Sequence, residues 1–398
     1  MKRRFSIEDI PRYYEVQEFS ISRHGDMIVF TWNREGKPDL YLTCLPDGKT
    51  ERLTSGIESA LQPDFSPDGS LVAYVSDSSG NETFGIYVYK IQSNESCAIL
   101  CDEYDNNCPL WSPNGHYIAF LSNRGRDNMN LYVLDVSSNA IKQISSGQAP
   151  VTSFAWSPNS RFLAYTQESE EALHESKVCL FDLTAGSNKV TLDSKGAANA
   201  VTRGCWAPDS SKFVYVTDKN GFNDIAIFDL STGKSSLLLC SKTEKYDPKW
   251  SPAGEHIIYL DNVDANIQLK RIEIRNGKIE EISSNEGVAS DPIFSEDGRR
   301  IFFLHNGPDE PTDIWMYEDG SLHRITDSRP PEHGTIEFIK PIRARYKSFD
   351  GVEIATWLYV PPDPGPRPVV IMPHGGPEWQ QMNRWDVLIQ ILTGAGYL

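Results

Sequence analysis

Basic charge is scarce in this chain: 38 Lys and Arg stand against 55 Asp and Glu, for a net charge of −17. That balance repels phosphate backbones and excludes a non-specific nucleic-acid binder. The one basic cluster, Lys2-Arg3-Arg4, is too short to form a patch and reads as a solvated terminus. Long apolar runs are missing too; none approaches the roughly 18–20 residues of a membrane span, so no membrane partner is expected. Charges and a proline interrupt Phe5-Ser6-Ile7-Glu8-Asp9-Ile10-Pro11, which excludes a signal-peptide core and points to a cytoplasmic protein. The seven cysteines (Cys44, Cys97, Cys101, Cys108, Cys179, Cys205, Cys240) contain no Cys-x-x-Cys pair, so neither a zinc ribbon nor a redox motif is supported. They read as free cytosolic thiols, and no metal or other cofactor is expected. Asn81-Glu82-Thr83 and Asn94-Glu95-Ser96 fit the glycosylation pattern but carry no weight without secretion.

What the chain has in abundance is a repeated turn. An aromatic anchor, usually followed by Ser, Pro, Asp or Asn, and Gly, stands at Phe19, Phe65, Trp111, Trp156, Trp206, Trp250 and Phe294, with spacings of 46, 46, 45, 50, 44 and 44 residues. A period near 45 marks a repeat architecture. In the clearest copy, Phe65-Ser66-Pro67-Asp68-Gly69 precedes the strand-like run Leu71 to Val75, followed by Ile86 to Tyr89 and Cys97 to Leu100. With the residues before Phe65 this makes four short strands, one blade of a WD40-like β-propeller. Pro67 presets an early turn position, Asp68 can bond its own backbone, and Gly69 tolerates positive φ. The aromatic anchors are expected to wedge between blades as core. Seven whole units fit between about Tyr13 and Thr326, with no strand left over. The ring is therefore expected to close by packing of the first blade on the seventh, without a shared strand. Thr232-Gly233-Lys234-Ser235 resembles the end of a phosphate-binding loop, but Phe228 stands where that loop needs glycine.

Past Thr326 the repeat stops. Residues 327–338 read as a linker, and 1–12 as an N-terminal extension ahead of a propeller at 13–326. Ile339 to Lys347 and Ile354 to Val360 read as strands, Pro361 to Pro368 as a loop, and Val369 to Met372 as a strand buried on both faces. His374-Gly375-Gly376-Pro377 follows. Met382 to Thr393 has helical spacing, with Trp385, Leu388, Ile389 and Leu392 on one face, closed by Gly394 and Gly396. Tyr397-Leu398 would open another strand. A strand, a glycine turn and a helix can present backbone N–H groups to a developing oxyanion, though the tetrapeptide alone fits an ordinary tight turn equally well.

Ser348-Phe349-Asp350-Gly351, Tyr359-Val360-Pro361, Pro368-Val369-Val370 and His374-Gly375-Gly376-Pro377, placed behind seven propeller repeats, resemble the prolyl oligopeptidase family of serine peptidases, in particular its acylaminoacyl-peptidase and dipeptidyl-peptidase-like branch. The resemblance covers nearly the whole chain. It implies an all-β seven-bladed propeller of four-stranded blades followed by a partial α/β-hydrolase domain at 339–398. In that family a Ser-His-Asp triad acts on short peptides beneath a propeller that excludes folded proteins. The resemblance makes Gly376 the first oxyanion-hole donor through its N–H and Gly375 the second, with His374 part of the turn. The nucleophile elbow Gly-x-Ser-x-Gly appears nowhere in the 398 residues. The triad is therefore expected outside them, and the chain is expected to be inactive alone. His24, His116, His174, His256, His305 and His323 lie at scattered repeat positions and do not replace it. Two other readings stay open: a non-catalytic propeller binding a peptide or protein, and one half of a two-chain peptidase. The expected partners are short peptides and either a complementing hydrolase chain or a second copy. The strand at Val369 to Met372 would lack neighbours, so residues after about Ile339 are expected to be loosely held. Glu170, Glu171, Arg124 and Arg126 read as solvated loop residues.

Overall fold

The computed structural model describes all residues except 1, 46, 78–79, 81–82, 126–127, 194 and 377–378, so Asn81, Glu82, Arg126 and Pro377 lie outside the described residues. Five sheets of four antiparallel strands, each made from one contiguous stretch, follow one another from Val16 to Leu239. The stretches 245–281 and 288–324 repeat the pattern. A single parallel bridge, Ile267 to Val288, joins them into one eight-stranded sheet.

In each repeat the turn read from the sequence joins the first strand to the second. In the second repeat, Gly69 N–H donates to Ser66 O at 2.9 Å, Leu71 N–H to Ser66 Oγ at 3.0 Å, and Ser70 N–H to Asp68 Oδ1 at 3.1 Å. The side chain thus satisfies backbone donors that the tight turn leaves unpaired. The same bonds recur around Ser112, Ser157 and Ser295. The first repeat differs from expectation. Its turn is closed by Ser22, whose hydroxyl accepts from Met27 N–H at 3.0 Å. Ile21, paired with Ile28, holds the place that Phe65, paired with Val72, holds in the second. Phe19 lies two residues earlier on the same face of the strand, since side chains alternate.

The anchors are core, as expected. Trp156 and Trp206 are buried, and their indole N–H groups reach back to the preceding repeat, to Leu110 O at 3.2 Å and Ala155 O at 3.3 Å. Phe162 stacks on Trp206 at 6.0 Å. The first and last repeats also meet: Phe19, Phe30 and Trp32 share one cluster with Phe302, Leu304 and Ile314. The Arg300 guanidinium adds bonds to His24 O at 2.6 Å and Gly25 O at 2.9 Å. No strand of either repeat comes from the other end of the chain among the described residues.

The N-terminal segment is not a free tail. Arg3–Arg4 pairs in parallel with Ile336–Glu337, and Arg3 forms a bidentate ion pair with buried Asp9 at 2.6 and 2.7 Å. Phe5 and Tyr13 then pack with Ile336 and Trp385 in a cluster of their own. The stretch read as a linker is also pinned. Ser328 is buried, and its N–H and hydroxyl both donate to Asp313 Oδ1, at 3.0 and 2.9 Å.

Beyond it, Ile342–Lys347 and Glu353–Leu358 form a two-stranded antiparallel sheet. Val369 to Met372 is not a buried strand: all four residues are exposed. Val370 N–H donates to Leu398 O at 2.9 Å and Leu398 N–H to Pro368 O at 3.0 Å. The helix runs Val387–Gly394, starting later than its apolar spacing suggests, because Asp386 caps it by accepting Ile389 N–H at 3.1 Å. It buries Ile389, Gln390 and Thr393, while Leu388 faces out at 50% exposure.

Residues after 339 make polar contacts with the repeats. Lys340 pairs with Glu286 at 3.1 Å and Asp309 at 3.2 Å, and Arg343 with Asp264 at 2.6 Å. Buried Gln390 donates to Pro308 O at 3.0 Å and accepts Ile339 N–H at 3.1 Å. Among the described residues, no helix is long and apolar enough to cross a membrane.

Candidate functional site

Two places bring chemistry-bearing groups together. The first follows the repeats. A cavity of about 560 Å³ opens between the two-stranded sheet, the extended run 369–374 and the helix, lined by Ile354, Leu358, Val370, Met372, His374 and Tyr397 among others. His374 Nδ1 lies 2.8 Å from Gly375 O, which places the imidazole within the turn rather than at a reacting centre. Gly375 and Gly376 are exposed. A Cβ at Gly375 would meet no atom within 4 Å. Gly376 has φ +138, a conformation that L side chains rarely adopt, so glycine is required there by the backbone.

Three of the other imidazoles contact groups of the repeats and of the N-terminal segment. His305 Nε2 meets Glu286 O at 3.1 Å, His333 Nδ1 meets the Tyr13 hydroxyl at 3.0 Å, and His24 faces Glu296 at 3.4 Å. None of these contacts is with a serine hydroxyl. Among the described residues no group of three or more His, Cys, Asp or Glu is placed to hold a metal ion. Gly233 sits in a hairpin turn, its N–H on Asp229 O at 2.8 Å, which removes the phosphate-loop reading. Arg124 is not a solvated loop residue: it binds Asp102 and Asn106, both at 2.9 Å, and its guanidinium lies 5.6 Å from the Tyr104 ring centre. Glu170 accepts Gln148 N–H at 2.7 Å and ties a connection down.

The second place is the inner edge of the repeats. Bonds run from the first strand of one repeat to the next: Cys108 N–H to Gln62 Oε1 at 2.6 Å, Trp111 N–H to Asp64 Oδ2 at 2.8 Å, Ser153 Oγ to Val201 O at 2.6 Å. The fourth strands are largely exposed, Lys49–Arg52 and Ile141–Gln143 along their whole length. First strands therefore lie nearest the axis and fourth strands farthest from it.

In most repeats the first strand carries a bulge just before the anchor, with positive φ at Gln62, Cys108, Asp247 and Asp291. A proline follows each of these four residues. It is tolerated because this is an edge strand whose N–H has no ladder partner to lose. Three residues ahead of each anchor position, counting Ile21 for the first, stand Glu18, Gln62, Cys108, Ser153, Arg203, Asp247 and Asp291. This polar belt was not singled out from the sequence. Aligning the repeats on the Ser turn rather than on the aromatic would have shown it. Burial pushes the Glu18 and Asp247 carboxyls up from their ordinary values, and the nearby Asp291 charge adds to both.

Successive four-stranded antiparallel sheets, wedged apart by aromatic anchors and lined by their first strands, define a β-propeller. The TolB beta propeller domain family (PD40) matches residues 19–168 and 126–335, and the chain belongs to it. The fold is similar to that of Pyrococcus horikoshii acylaminoacyl peptidase, with a TM-score of 0.78 at 14% identity over 99% of this chain and 65% of that one. A prolyl endopeptidase structure matches with a TM-score of 0.76 at 15% identity, over 97% of this chain and 61% of its own. Dipeptidyl-peptidase 5 of Porphyromonas gingivalis is 22% identical over 239 residues, 56% of this chain and 34% of that protein. The structural likeness is thus one of fold, and the chain spans less than two thirds of these relatives.

Proposed function

We propose that this chain is the propeller and the opening hydrolase segment of a serine peptidase of the prolyl oligopeptidase family, acting on short peptides. In this reading residues 13–326 form a seven-bladed ring that gates access, 327–338 cross to the second part, and 339–398 begin an α/β-hydrolase domain. Gly376 N–H, with Gly375 second, would receive the oxyanion of the tetrahedral intermediate. The triad serine, histidine and aspartate would come from polypeptide outside these 398 residues. One observation carries the reading: a fold shared over 99% of the chain with an acylaminoacyl peptidase, in which the same 398 residues hold both the repeats and the glycine turn. The exposed run Val369 to Met372, with Leu398 just starting to pair beside Val370, supports a sheet that further strands complete. Seven free cysteines support a reducing compartment such as the cytoplasm.

The test is hydrolysis of fluorogenic acyl-peptide and dipeptide amides. The 398-residue chain alone should show none. The same chain extended by the coding sequence that follows Leu398, or mixed with that segment as a second polypeptide, should be active. There, Gly376→Pro, which removes the N–H and cannot hold the φ of +138 that presents it, should lower kcat by at least about 10²–10³. Turnover by the 398 residues alone, or an extended protein that cleaves no peptide, overturns the reading.

A further inference from the structure

The fifth repeat breaks the pattern of the inner edge. Its first strand pairs only at Asn199–Ala200, leaves the ladder, and rejoins as the isolated bridge of Trp206 with Phe213. Between them the chain makes a turn, closed by Cys205 N–H on Thr202 O at 3.1 Å. Gly204 in that turn has φ +81, and a Cβ there would press on the Lys249 side chain at 3.2 Å. The turn projects Arg203 toward the axis, where its guanidinium pairs with Asp64 of the second repeat, 139 residues away.

The two ends of this pair differ. The Asp64 side chain is 3% exposed and fixed in the wall, accepting Trp111 N–H at 2.8 Å and Ser20 Oγ–H at 3.3 Å. Arg203 is 44% exposed along its length, as a side chain crossing solvent must be. A bond between the second and fifth of seven successive sheets runs across the middle of a ring, not along its wall.

We propose that the Arg203–Asp64 pair is a bar across the central passage of the propeller, which a peptide chain must break in order to thread the ring. The inference rests on the ring reading above. It also has a reporter inside the passage. Cys108 is on the belt of the third repeat, exposed to solvent, and yet desolvation by its surroundings pushes its thiol up to about 11. Exposure combined with desolvation is what a narrow wet passage gives.

The test alkylates the native 398-residue chain at mildly alkaline pH with iodoacetamide and with a maleimide carried on a polyethylene glycol of several kilodaltons, and follows each cysteine by peptide mass spectrometry. The bulky-to-small rate ratio at one cysteine cancels its thiolate fraction. In the native chain this ratio should be lower at Cys108 than at Cys97, exposed on a fourth strand, and Cys240, exposed just past one. Arg203→Ala and Asp64→Asn should each raise it at Cys108 by about tenfold, the scale of losing one charge-assisted hydrogen bond, and leave Cys97 and Cys240 unchanged. Labelling of buried Cys179 or Cys205 would reveal an unfolded variant, in which case Arg203→Met, which keeps the stem, takes its place. If the ratio at Cys108 is low and neither substitution moves it, the bar is overturned while the ring stands. A native ratio at Cys108 equal to that at Cys97 overturns both.

Discussion

Asp313 shows how much of the propeller rests on single buried polar residues. Its carboxylate is 0% exposed and accepts Thr326 Oγ1–H at 2.8 Å, Ser328 N–H at 3.0 Å and the Arg324 guanidinium at 2.9 Å. Asp39 and Asn130 take the same place in the first and third repeats, each bonded to a hydroxyl after the fourth strand, from Thr54 and Ser145. The device ties the outermost strand to the third, where little apolar surface is available to hold it. Removing one partner leaves the rest buried and unpaired. Asp313→Ala should therefore destabilise the chain by about 3–5 kcal/mol, measured as a lower urea midpoint. Ser321→Ala, at an exposed strand position of the same repeat, should change the midpoint little.

At the scale of elements, legibility followed local chemistry. The Ser-Pro-Asp-Gly turns and the strands after them were readable because proline, glycine and a short acceptor fix the backbone within five residues. Ring size points to Phe19 as the first anchor, whereas the hydroxyl of Ser22 sets the register. The run Val369 to Met372 reads as a buried strand from composition, but burial requires neighbours, and composition does not supply them. In the helix, hydropathy favours a face with Leu388, whereas the structure buries Gln390 because its amide satisfies three backbone groups at once. Of the candidate site, the glycine turn was legible as a motif. The inner belt was not, because its members share only polarity and position.

The docking of the N-terminal segment carries a pH dependence. Burial first, then the charge of Arg329, hold the His333 imidazole below its ordinary 6.5. The folded state thus binds fewer protons than the unfolded state just below that value, so this contribution is present above 6.5 and is lost as pH falls. His333 also stacks on Phe338 at 4.8 Å and its Nδ1 lies 3.0 Å from the Tyr13 hydroxyl, so a charge on the ring falls among the contacts that seat residues 5–13. Hydrogen exchange in that segment, corrected for intrinsic rates, should accelerate between about pH 7.5 and pH 5.5, and His333→Phe should flatten the dependence. Equal protection at both pH values would remove the argument.

At the scale of the whole molecule, the chain is sealed on one side and open on the other. Its repeats bury their rings and close first on last through Phe19, Phe302 and Ile314. Past residue 339, Phe349, Ile371, Val369 and Trp379 are all more than half exposed. Exposed large apolar side chains in this number favour association. The 398-residue chain should show concentration-dependent mass in light scattering, and Ile371→Lys should shift it toward monomer with the melting temperature unchanged. A monomer at all concentrations in the parent chain would show that the open side is not adhesive.

The contact between Gly394 and Phe5 has a practical consequence. A methyl group on Gly394 would overlap the Phe5 carbonyl oxygen, so the helix end and the segment behind Met1 fit together with no slack. Anything fused ahead of Lys2 lengthens one jaw of that clasp. Purification handles and fluorescent reporters are better placed in an outward hairpin such as the one at Gly277, where a side chain would meet empty solvent.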